Sequence, residues 1–143
     1  VGWTGVTNGS EYFHAFLVTS ANGQWKIPDS DINPTNLLMQ DLGTLDGFFR
    51  NSSARALNNR TWIVGTSTTG SGTNQAFLWR NGAMENLNDL IAADSGWVLT
   101  NAMGINEHNE IVGSGLHNGQ SRAFMLRQEG RITAVVPRVP TNS

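Results

Sequence analysis

Ser53-Ala-Arg-Ala-Leu-Asn58, with Ile63-Val-Gly65, Gln75-Ala-Phe-Leu-Trp79 and Asn81-Gly-Ala-Met84 after it, decides the fold, because the chain states it twice. The second statement runs Asn101-Ala-Met-Gly-Ile-Asn106, Ile111-Val-Gly113, Arg122-Ala-Phe-Met-Leu126 and Glu129-Gly-Arg-Ile132. Asn58 and Gly65 meet their counterparts Asn106 and Gly113 48 residues on, and Phe77 meets Phe124 47 residues on. A fixed period of roughly 40–50 residues marks a protein assembled from stacked copies of one small unit. An earlier copy precedes these two. Val1-Gly2 stands for Val64-Gly65, His14-Ala-Phe-Leu17 for Gln75-Ala-Phe-Leu78, and Asn22-Gly23 for Asn81-Gly82. Leu38-Met39-Gln-Asp-Leu42 then matches Ala83-Met84-Glu-Asn-Leu87. The offset falls from 59 to 45 between the last two matches, which places a 14-residue insert at 24–37. The single array therefore divides at about 1–48, 49–96 and 97–143, with the opening segment of the first unit missing.

Each unit breaks into four short segments separated by turn chemistry. Ala54–Asn58 and Ala102–Asn106 open it, and the Asn-rich sequences that follow suit a tight turn, since Asn accepts positive φ and bonds its own backbone. Ile-Val-Gly is β-branched and ends in a glycine that lets another backbone approach. Ala-Phe-(Leu/Met) comes next, with Asn-Gly reading as a hairpin turn. A short alternating segment closes the unit, Met84–Leu87 or Ile132–Val135. Four antiparallel strands at this period is the pattern of a β-propeller blade. The expected fold is all-β, with about three four-stranded blades of which the first lacks one strand. The strand tally is three, four and four. Ala and Phe of the third segment are expected to supply the contact between neighbouring blades.

Composition narrows the function. Charged residues make up 14% of 143, the formal charge is −2, and Lys26 is the one lysine, so no basic footprint for nucleic acid exists. Without cysteine there is neither a disulfide framework nor a thiolate metal site. No apolar run approaches the about eighteen residues of a membrane span. The chain begins with Val inside a repeat, which suggests a removed leader or a longer polypeptide.

His14-Ala-Phe16, Asp41-Leu-Gly-Thr-Leu45, Ser53-Ala-Arg-Ala-Leu-Asn58 and Ile63-Val-Gly65 together resemble the HAF-repeat family of bacterial extracellular proteins. The resemblance spans nearly the whole chain and implies a secreted or cell-surface, propeller-like array. Only the first copy keeps the His; Gln75 and Arg122 replace it later. That departure speaks against a histidine site repeated around a ring and suggests a solvent-facing strand position.

Three blades are too few for a ring, which takes about four to eight. The edge at residues 1–6 is expected to pair with a protein partner or a second copy of the chain, two copies giving six blades. Candidate chemistry is sparse. Asp29, Asp31 and Asn33 alternate like the first half of a calcium loop, but Pro34 and Gln40 depart from the rest of that motif. Trp25 and Trp97, near expected loops, are the candidates for stacking on a glycan or meeting a partner, while Trp62 and Trp79 are expected between blades. Glu85, Asp89 and Asp94 are the acids from which a glycoside hydrolase or lyase pair could be drawn. His14, His108 and His117 fall at a strand and two turns, and no serine sits in a nucleophile elbow. The expected function is binding or scaffolding through blade edges and loops, with no chemistry of its own. The alternatives are a lectin-like propeller and a fragment of a propeller-type hydrolase or lyase.

Overall fold

The computed structural model describes residues 2–7, 11–20, 37–47 and 50–128. They form ten strands: β1 (Gly2–Thr7), β2 (Glu11–Ser20), β3 (Leu37–Gly43), β4 (Ser52–Leu57), β5 (Ile63–Thr68), β6 (Asn74–Arg80), β7 (Ala83–Asn86), β8 (Trp97–Ile105), β9 (Ile111–His117) and β10 (Gln120–Leu126). A 3₁₀ turn, Leu87–Leu90, follows β7. Among the described residues no helix is long and apolar enough to cross a membrane.

The protein is all-β, built as three antiparallel sheets in chain order: β1-β2-β3, β4-β5-β6-β7 and β8-β9-β10. Every pairing joins sequence neighbours, so each sheet is a simple meander. The strand tally of three and four holds for the first two sheets. The closing segment expected at Ile132–Val135 lies outside the described residues, as does the insert up to residue 36.

Two hydrophobic cores join the sheets face to face. Ala15, Leu17 and Leu42 of the first sheet meet Ala54, Ile63, Phe77 and Trp79 of the second. Val64, Ala76, Leu78 and Leu87 then meet Leu99, Ala102, Ile111 and Phe124 of the third. Strand alternation dictates this split, because successive side chains point to opposite faces. Ala76 and Phe77 are both fully buried, yet they serve different neighbours: Ala76 turns toward the third sheet and Phe77 toward the first. The Ala-Phe pair is thus one hinge residue for each interface.

The glycine of Ile-Val-Gly has a steric role that repeats. A Cβ on Gly65 would lie 2.9 Å from two ring carbons of Phe77, and one on Gly113 would lie 2.7 and 2.9 Å from those of Phe124. Gly2 stands in the same relation to Phe16, at 2.9 Å. In each sheet the Phe ring lies flat across the cross-strand glycine, which identifies the face that points toward the preceding sheet. Gly65 and Gly113 also admit a carbonyl oxygen of the opening strand, Ser53 O and Asn101 O, where β4 and β8 bulge.

The hairpins follow the turn chemistry. Asn81 and Gly82 both take positive φ, 52° and 81°, as a two-residue type I′ turn requires. Asn118 and Gly119 repeat that geometry between β9 and β10. The longer turns after Asn58 and Asn106 are superimposable in their bonding. Asn58 Oδ1 accepts from Arg60 N and Trp62 N, and Asn106 Oδ1 accepts from His108 N and Glu110 N, at 2.9–3.1 Å. Thr61 and Asn109 occupy the same left-handed position, with φ of 59° and 60°.

Candidate functional site

The sheets are stitched along their rims by polar side chains, and this stitching defines the surfaces left for binding. Asn58 is buried; its amide donates to Asn106 O at 3.1 Å and to Asn109 Oδ1 at 2.9 Å, so one turn holds the next. Asn59 N adds a bond to the Glu107 carboxylate at 3.1 Å. Elsewhere Asn88 behaves as a piece of strand: Leu99 N donates to its Oδ1 at 2.7 Å while its Nδ2 donates to Leu99 O at 2.9 Å. Ser52 does the same work between the first two sheets, accepting from Ala15 N at 2.8 Å and donating to Gly43 O. Sequence reading passed over Ser52 and Asn88. The signal was present in the aligned Asp41-x-Gly43 and Asn86-x-Asn88, whose first residues each accept from the amide two positions on, at 2.8 and 2.9 Å.

His14 corrects the expectation of a solvent-facing residue. Its side chain is 1% exposed, and Nδ1 donates to the Asp41 carboxylate, 3.0 and 2.9 Å from the two oxygens. The repeat explains why. Its counterpart Gln75 accepts from Asn88 Nδ2, in the 3₁₀ turn after β7, at 2.6 Å, so this position is hydrogen-bonded in both units. Asp41 suits a ring N–H and Asn88 suits an amide oxygen. Gln75 therefore keeps a hydrogen-bonded role, but with a residue at the position of Gly43, since Asp41 aligns with Asn86.

Between the second and third sheets lies a cleft of about 610 Å³, within the size range of small-ligand sites. Leu78, Leu87 and Ile111 form its floor, and Trp62, Arg80 and Arg127 stand on its walls. The Arg80 guanidinium lies 4.9 Å from the Trp62 ring centroid and bonds Glu85 at 2.6 Å. Arg127 bonds Glu110 at 2.8 Å. Glu110 is held below the usual carboxylate range, first by the Asn106 amide and then by the Arg127 guanidinium, with burial opposing. Both guanidiniums are thus ion-paired, and the cavity offers an apolar floor under a polar rim.

Trp97 is the first residue of β8, directly after the turn that precedes it. It is half-buried, with its ring stacked on His117 at 4.7 Å between centroids and set edge-on to Phe124 at 6.3 Å. Trp25 and the calcium candidates Asp29, Asp31 and Asn33 lie outside the described residues. Among the described residues no group of three His, Asp or Glu is placed to hold a metal. Of the three candidate acids, Glu85 and Asp89 share a smaller cleft of about 350 Å³ with Asp46, and Asp94 does not line it. Glu85 is engaged by Arg80, and Asp46 accepts from Gly70 N at 2.6 Å.

Comparison with protein-family models, with curated proteins and with solved structures gives no match for this chain.

Proposed function

We propose that this chain is an extracellular or cell-surface β-repeat module of the propeller type, akin to HAF-repeat proteins, and that it works by binding and scaffolding. Its three sheets serve as blades that hold edges and rim loops in fixed positions, a rigid display that needs no chemistry of its own. The observation that carries this reading is the edge of β1. Its counterparts β5 and β9 are each flanked by an opening strand, β4 and β8, whereas β1 pairs with β2 alone among the described residues. An unpaired strand edge binds by adding a strand, with backbone bonds giving affinity and alternate side chains giving selectivity.

The natural probe is a synthetic peptide copying the opening strand, residues 51–58. Titration should show saturable binding and slowed amide exchange in residues 2–7. Unchanged exchange at saturating peptide would remove the edge as the binding surface.

A carbohydrate-binding reading is favoured by the cleft beside Trp62, because sugars pair an apolar C–H face with hydroxyls that suit the guanidinium and amide groups of Arg80, Arg127, Asn109 and Gln128. A glycan array followed by titration of an Arg127→Ala variant tests it. Binding that survives this change with full affinity would place any sugar elsewhere.

A further inference from the structure

The third sheet ends the described stack with a face that the other two sheets bury. On the second sheet, Val64 stands opposite Leu78 across β5 and β6, and both lie under the third sheet, at 0% and 2% exposure. Their counterparts Val112 and Met125 stand opposite each other across β9 and β10, at 45% and 59% exposure. Ala15 and Ala76 are fully buried in the first and second sheets, and Ala123 is exposed in the third. Val98 and Leu116, also cross-strand partners and exposed, extend the patch. A terminal unit that caps a repeat array carries a polar outer face. The third sheet instead keeps the interior pattern, and no described sheet covers it.

The structure also shows what such a face receives. At both internal junctions, the Ala-bearing face meets a sheet face on which a Phe ring lies across a glycine, Phe77 on Gly65 and then Phe124 on Gly113. One further face of that type exists among the described residues. It belongs to the first sheet, where Phe16 lies across Gly2; Phe16 is half-buried and belongs to neither core. The two outer faces of the described stack are therefore of the two kinds that meet at each internal junction.

We propose that the outer face of the third sheet docks the Phe16 face of the first sheet in a second copy of this chain, head to tail. This surface is distinct from the β1 edge, so the proposal stands whether or not that edge binds strands. A head-to-tail contact closes into a ring when its rotation allows and otherwise continues as a filament. Two copies would bring six sheets together, within the about four to eight of closed propellers.

Sedimentation equilibrium from micromolar to hundreds of micromolar protein tests the proposal through complementary variants. Wild type should associate reversibly. Met125→Lys, which changes an exposed side chain and leaves the fold intact, should weaken association about tenfold or more. Phe16→Lys should do the same; Val18→Lys, on the same face of β2, replaces it if the Phe16 variant misfolds by circular dichroism. The deciding arm mixes the two variants. Each keeps one good face, so together they should form a one-to-one heterodimer that neither forms alone. A wild type that stays monomeric throughout overturns the proposal, as does a Met125→Lys variant that associates normally. Self-association of the Phe16-face variant would show a face pairing with its own kind and would overturn it equally.

Discussion

Placing a methyl group on Gly65 gives a sharp test of how the sheets are built. The position is not left-handed, so Gly65→Ala meets a steric obstacle and no conformational one. The new Cβ would sit 2.9 Å from two ring carbons of Phe77, a fully buried residue of the core between the first and second sheets. It would also press on Ser53 O, a backbone atom in the bulged β4 that no rotamer change can move. Overpacking of this kind costs about 1–3 kcal/mol, and the backbone contact places Gly65→Ala at the upper end. Loss of glycine's freedom in the unfolded chain returns roughly 0.4–1 kcal/mol, leaving a net destabilisation of about 2 kcal/mol. For a chain near this size that lowers Tm by about 4–8 °C. Gly113→Ala should match it, since Asn101 O and Phe124 occupy the same places. Gly2→Ala meets the Phe16 ring at 2.9 Å but no backbone oxygen, because among the described residues no opening strand lies beside it, and should cost under about 1 kcal/mol. Thermal and urea unfolding followed by circular dichroism measures all three. A Gly2 variant as damaged as the Gly65 variant would refute the reasoning, because it would mean that a strand already fills that edge.

Other perturbations separate the remaining contacts. Asn58→Ala removes a buried side chain that bonds two turns and should cost about 2–3 kcal/mol by urea titration, against about 1 kcal/mol for the exposed Asn106→Ala. Phe77→Ala should cost about 3–5 kcal/mol and show as a lowered urea midpoint with lost near-ultraviolet signal. Because Glu110 has a lowered pKa in the folded chain, its stabilising contribution is complete above the ordinary carboxylate range and drains away as pH falls through the lowered value. Wild type should therefore exceed Glu110→Gln in stability at neutral pH, with the gap closing in acid.

Much of the architecture was legible because one pattern was written more than once. Two matched Ile-Val-Gly segments located β5 and β9, and matched Asn residues located the turns that Asn58 and Asn106 close with their own side chains. Strand alternation made the Ala-Phe pair readable as a contact, though not that its two members face different neighbours; that depends on which sheet stands on which side. The environment of His14 was hidden for a related reason. Replacement by Gln and Arg in later units looked like freedom, but Gln75 is also bonded, through Asn88, a position that in the first unit is Gly43. Trp97 opens β8 beside the preceding turn, and that early start, in a strand with two bulges, is something a four-letter motif cannot announce. The cleft beside Trp62 was beyond reach, as it forms from residues of two sheets that only packing unites.

The clasp between the Asn58 and Asn106 turns makes tolerance of loop length uneven along one rim. A hairpin gripped from the next unit cannot lengthen without letting go, whereas among the described residues the two-residue turn at Asn81-Gly82 has no such grip on it. The chain has already used that freedom, since its extra 24–37 stretch is spliced in at the counterpart of Asn81-Gly82. Foreign sequence grafted at that turn should thus be carried as cargo by an undisturbed frame, which makes this corner the natural port for diversifying what the module presents.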